Sequence, residues 1–231
     1  MSRHLDAKDF VDRARVSSSA AAGARVISLD DLRGTSLGRG SALAAPEPRW
    51  QLDDLTGRLT ELSGVGAVAS LTAVTALVLE AQGRGEPCAW IVQPGSSFFP
   101  PDLADSGVDL DALVVVRVRD AITLARAADT LLRSGSFGLV ILELGPDGEL
   151  ATATQGRLLG LAQHHDAALI AITARSRNAA SLGSIVSLRA EAVRERVSGG
   201  GFRVTMRALK DKRRGPGWSQ PVAVVAPAGL K

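Results

Sequence analysis

Tyrosine is absent from this sequence, and Trp50, Trp90 and Trp218 are its only tryptophans, so any core it builds must be aliphatic. A single cysteine, Cys88, excludes an internal disulfide. With His4, His164 and His165 as the only histidines, no cluster of soft ligands stands ready for a structural zinc, and no metal site is expected. No unbroken apolar run approaches the roughly 18 residues that a membrane-spanning helix needs, so no membrane partner is expected. The opening MSRHLDAKDF mixes acids with bases and carries no apolar signal core, which predicts a cytoplasmic, reducing location.

What is present fits a globular chain: 231 residues, 45% apolar and 22% charged, enough for one substantial core and a small appendage. The net charge of +3 is unevenly placed. Between Arg189 and Arg214 lie nine bases and three acids, a local +6, and such asymmetry points to a polyanion or an acidic partner.

Residues 1–50 differ from the rest. The stretch 5–15 (LDAKDFVDRAR) sets Leu5, Phe10, Val11 and Ala14 on one side of a predicted short helix, and 25–29 (RVISL) predicts a short strand. Small residues at 17–22 and a Gly/Ser/Ala/Pro-rich run at 33–49 predict linkers. This gives a helix–strand extension over 1–50, a core over 51–226 and a tail over 227–231. Within the core, buried-type strands are predicted at 59–62, 89–92, 113–116, 139–142 and 169–173. Helical patterns fall between them at about 68–83, 101–106, 121–133 and 151–165. Strands alternating with helices predict an α/β fold, a mainly parallel sheet flanked by helices. Three further strands, at 186–188, 202–209 and 222–225, lack intervening helices and predict a terminal antiparallel run. Turns are expected at 198–201 and 215–217.

The first strand–helix junction, GRLTELSGVGAVASLTAV over 57–74, is where a parallel sheet would place a phosphate-binding loop. A working loop, G-x-x-x-x-G-K-[ST], needs glycines to aim backbone amides, a lysine to neutralise phosphate and a hydroxyl to hold Mg²⁺. Gly64 takes the first place, but Ala69, Ser70 and Leu71 fill the Gly, Lys and Ser/Thr places. Charge-assisted contacts contribute about 1.5–3 kcal/mol each, and about 1.4 kcal/mol is tenfold in affinity, so nucleotide affinity should fall by orders of magnitude. No cofactor and no catalysis are expected.

At these residues the chain resembles the RecA recombinases. GRLTELSG is similar to the segment entering their phosphate loop, SGVDLDALVVVR to the segment after their second core strand, and AADTLLRSGSFGLVILEL to their Walker B strand and its helix. FRVTMRALKDKRRGPGWSQPVAVV resembles their last core strands, including a basic K-x-K. The departures are informative. Gln93-Pro94-Gly95-Ser96 stands where the resemblance places a catalytic Glu, Glu143 where it places the Walker B Asp, and Ala174 near the nucleotide-sensing Gln. A RecA-like core so erased is similar to the ImuA accessory proteins, VVVRVRDAITLARAADTLLRSGSFGLVIL over 114–142 most of all, and to the related SulA-type division inhibitors.

That resemblance implies a non-catalytic adaptor in damage-induced translesion synthesis, nucleoid-associated during damage, with RecA and an ImuB-type polymerase-like protein as partners. It also implies how RecA would be held. Val26, Ile27 and Leu29 would add a strand to a RecA subunit, and Lys210 and Lys212, followed by Arg213 and Arg214, would match the K-x-K that reaches a neighbour's nucleotide. Residues 210–214 also read as a solvated hairpin turn, or as a contact to DNA through the basic C-terminal strands. Trp218 reads as a partner anchor or as a packed edge tryptophan. Asp120, ahead of Ala-Ile-Thr-Leu, reads as a helix N-cap. A divergent RecA-like ATPase and a division inhibitor are the alternative functions.

Overall fold

Four segments with apolar side chains on both faces become the centre of the sheet in the computed structural model, which describes residues 50–65, 69–145, 148–197 and 202–222. β1 (Arg58–Ser63), β2 (Cys88–Val92), β4 (Leu139–Glu143) and β5 (Ala168–Thr173) are buried along their whole length. Strands buried this way need helices over both faces, which is why they are parallel. β3 (Leu113–Arg117) lies at the edge, with Val114 exposed. The order is β3-β2-β4-β5-β1-β6-β7-β8, with β6 (Leu188–Arg196), β7 (Phe202–Asp211) and β8 (Ser219–Val222) completing one eight-stranded sheet. The first five strands and β6 run parallel, and β6–β7 and β7–β8 are antiparallel. The expected α/β architecture is therefore the observed one.

The period-two alternation of each strand divides the core into two layers. Leu62, Trp90, Ile141 and Ile170 face α2 (Ser70–Gly83) and α3 (Pro100–Asp105), together with the short α1 (Leu52–Leu55). Leu59, Ile91, Val140 and Leu169 face α4 (Ala121–Arg133) and α5 (Thr152–His164). Asp120 caps α4 as the sequence predicts, its carboxylate accepting the Thr123 amide at 2.7 Å. Trp50 is buried; its indole N–H donates to the Ala73 carbonyl at 2.9 Å and its amide to Gln220 Oε1 at 2.6 Å.

One strand departs from expectation. The sequence predicts 186–188, but β6 starts at Leu188 and runs nine residues. Its text, LRAEAVRER, is rich in Ala, Glu and Arg, residues that favour helix over strand. Pairing overrides that preference: Thr60↔Leu188 joins it to β1, and Ala192↔Met206 is one of nine positions matched to β7. Only Ala190 and Ala192 among its middle residues need to reach the core, and both are buried. β8 begins at Ser219 rather than 222, and residues 223–225 lie outside the described residues. The expected turn at 215–217 is present, with Gly215 and Gly217 at φ +81° and +93°. The predicted helix at 5–15, the strand at 25–29 with Val26, Ile27 and Leu29, and the turn at 198–201 also lie outside the described residues.

Candidate functional site

Parallel sheets bind ligands beyond the carboxyl ends of their strands. Here a cavity of about 330 Å³ opens beyond β1, β2, β4 and β5, lined among others by Gly64, Ser70, Gln93, Glu143, Thr173 and Ala174. No Lys, Arg or His lines it; its one ionisable lining residue is Glu143, an acid. The amides that a phosphate would need are engaged elsewhere. Gly64 donates to the Thr173 carbonyl at 3.1 Å and Ala69 to the Ala192 carbonyl at 3.3 Å. Ser70 is buried and its hydroxyl has no partner among the described residues, while Leu71 packs on the core.

Glu143 is 5% exposed and fully engaged. Oε1 accepts the Ser97 amide at 2.6 Å and its hydroxyl at 2.9 Å, and Oε2 accepts the Trp90 indole N–H at 3.2 Å. Gln93 Oε1 accepts the Gly145 amide at 2.9 Å. The β2 and β4 ends are thus tied together by side chains at positions where the resemblance places catalytic groups. Among the described residues no group of acids, histidines or cysteine is placed to hold a metal.

The basic segment at the end of β7 is organised by its acid. Asp211 has a side chain 1% exposed and pairs with the 4% exposed Arg58 at 2.7 Å. It also accepts the Arg213 amide at 2.9 Å and the Trp218 indole N–H at 3.1 Å. Burial alone would raise its pKa, but the Arg213 amide, the Arg58 guanidinium and the Trp218 indole together hold it below the ordinary carboxylate value. With Asp211 turned inward, its neighbours turn out: Lys210 Nζ reaches the Gly183 carbonyl at 3.4 Å and Lys212 Nζ the Ser184 carbonyl. Burial, together with the Lys212 and Arg189 charges, lowers the Lys210 pKa against the pull of Glu61. Arg214 pairs with Asp54 at 2.7 Å, and Trp218 packs half-buried on the core.

No family model matches the chain. Among curated proteins it is similar to Protein RecA of Rickettsia massiliae and to that of Rickettsia bellii, each 28% identical over 117 residues, 46% of this chain and 34% of the relative. Protein RecA of Rhodospirillum rubrum is 33% identical over 98 residues, 41% of this chain and 26% of the relative. The chain is a distant relative of RecA. It spans about a third of the length of the curated relatives it matches.

In this RecA-like core the predicted residues fall into two places. Gly64, Ala69, Ser70 and Leu71 gather at the cavity mouth and the start of α2, while Lys210, Lys212, Arg213, Arg214 and Trp218 gather around Asp211. Sequence reasoning missed the buried charges that hold both places. Glu61, in β1, is fully buried and accepts from Thr173 Oγ1 at 3.0 Å, Ser181 Oγ at 2.7 Å and the Leu182 amide at 2.9 Å. Arg189 lies 3.7 Å from it and donates to Ser63 Oγ at 3.0 Å and the Ser176 carbonyl at 2.8 Å. The available signal was an acid inside a strand of otherwise buried type.

Proposed function

We propose that this chain is a non-catalytic adaptor of RecA-like fold in damage-induced translesion synthesis, binding RecA and an ImuB-type polymerase-like protein. The observation that carries the reading is the cavity lining: no cation, one acid, and that acid saturated by Ser97 and Trp90. An anion entering such a cavity loses its hydration and gains no countercharge, which is costly. The two lysines remain on the outer side of a rigidly anchored β7, suited to reach a neighbouring subunit while this chain offers no nucleotide of its own.

RecA association tests the reading. Lys210→Ala combined with Lys212→Ala is expected to weaken binding of the chain to immobilised RecA about tenfold or more, measured by surface plasmon resonance. Unchanged binding, together with undiminished binding after deletion of residues 1–30, would overturn RecA as the partner. Direct DNA contact is a second reading, favoured by one observation. The exposed Phe202 ring sits 4.6 Å from the Arg194 guanidinium and 5.8 Å from that of Arg196, a pairing of aromatic and cation suited to nucleic acid. In that case the chain alone would bind single-stranded DNA, with affinity falling steeply as salt rises.

A further inference from the structure

α4 and α5 pack side by side on one face of the sheet and leave a groove of about 640 Å³ between their outer surfaces. Its floor is Ala121, Ala125, Leu150 and Leu158; small alanines on α4 give it depth. On its rim stands Ile122, 69% exposed and the most exposed large hydrophobic side chain among the described residues. An isoleucine so placed contributes nothing to the chain's own core, and α4 buries Leu124, Ala128 and Leu132 on its opposite side.

The charges around the groove are of one prevailing sign. Arg126 is exposed, and among the described residues its guanidinium makes no hydrogen bond or close ion pair, feeling only the charge of Asp120, which is committed to capping α4. Arg157 and Arg133, 61% and 59% exposed, share the single carboxylate of Asp129. Glu149, at one end, is paired with Arg175. The rim therefore carries three guanidiniums against one shared carboxylate beyond the paired and capping groups.

The shape of a partner follows from the backbone. Both walls are helices whose amides and carbonyls are satisfied internally, so an extended peptide would find no main-chain partners along them. A helix brings its own hydrogen bonds and presents only side chains. From Ala121 to Thr130 the α4 wall is about 13 Å long, some two and a half helical turns. We infer that this groove receives an amphipathic helix of a partner protein, with apolar residues at i, i+4 and i+7 set among Ile122, Ala125 and Leu158 and carboxylates flanking them to meet Arg126 and Arg157. The surface would give an adaptor its second binding face, and it stands on its own observations whether or not RecA is the first partner.

Fluorescence anisotropy with defined peptides tests it on the full chain. The probe is a labelled helical peptide of about 18 residues, with Leu at i, i+4 and i+7 and Glu at the flanking positions. A second peptide carries Lys in place of every Glu. The wild-type chain is expected to bind the acidic peptide at least about tenfold more tightly than the basic one, with the difference shrinking as salt rises. Ile122→Asp is expected to lower acidic-peptide affinity at least about tenfold, and Arg126→Glu to narrow or reverse the charge preference. Both positions are exposed, so unfolding midpoints should match the wild type and mark any loss as local. Equal affinity for the two peptides, no binding of either, or affinities unchanged in both variants would overturn the inference. So would self-association of the wild type in sedimentation that disappears in Ile122→Asp, which would give the groove to a second copy of the chain.

Discussion

Replacing Asp211 with Asn is expected to cost about 3–5 kcal/mol of folding stability, read as a lower urea midpoint, because it leaves the buried Arg58 guanidinium without its counter-charge. The side chain that remains keeps much of the shape but cannot neutralise a group that is 4% exposed. The effect should depend on pH in a defined direction. Asp211 has a folded pKa held below its unfolded value, about 3.9, so its contribution is full above that value and is lost as pH falls through the folded one. The stability gap between wild type and Asp211→Asn should be constant near neutrality and close below about pH 4. A gap that stays constant into strong acid would show that the pair is not the source of the effect. The functional consequence is local: with the anchor weakened, Lys210 and Lys212 lose the fixed base from which they reach the Gly183 and Ser184 carbonyls.

Glu61→Leu is expected to have an effect of the same size, about 3–5 kcal/mol, for a related reason. Leucine fits a fully buried strand position, yet it strands Arg189 and removes the acceptor for Thr173, Ser181 and the Leu182 amide. Those donors sit on β5 and on the connection 174–187, so the damage should extend beyond global stability. In native-state hydrogen exchange, the Leu182 amide should lose protection in Glu61→Leu while amides of β2 and β4 retain theirs. Equal protection of Leu182 in both proteins would mean that the connection is held by something other than Glu61.

The two mutations mark the boundary of what the sequence disclosed. Runs such as ALIAIT and LVILE can satisfy burial on both faces only as central strands, so β1, β2, β4 and β5 and the helices between them were legible. The erased phosphate loop was legible too, since it requires only that Ala69, Ser70 and Leu71 lack an ammonium group. β6 was largely hidden, because its alanines and charged residues carry little strand preference and its conformation comes from neighbours far along the chain, such as Arg58–Ser63 and Phe202–Asp211. The buried charges were hidden for the same reason. Nothing local to Glu61 announces Ser181 and Leu182, and nothing in K-D-K shows that the acid turns in toward Arg58 and Trp218 while the lysines turn out. Glu143 lies between these cases: the strand end placed it correctly, and only the fold revealed that Trp90 and Ser97 occupy its oxygens.

Isothermal titration of ATP with Mg²⁺ into the full chain bears most directly on the proposed loss of nucleotide chemistry. With no cation at the cavity, a saturated Glu143 and loop amides already donating to Thr173 and Ala192, saturable binding should be absent or weaker than about 1 mM, and no phosphate should be released. Tight, Mg²⁺-dependent binding with turnover that Ser70→Ala or Glu143→Gln abolishes would contradict the adaptor reading outright.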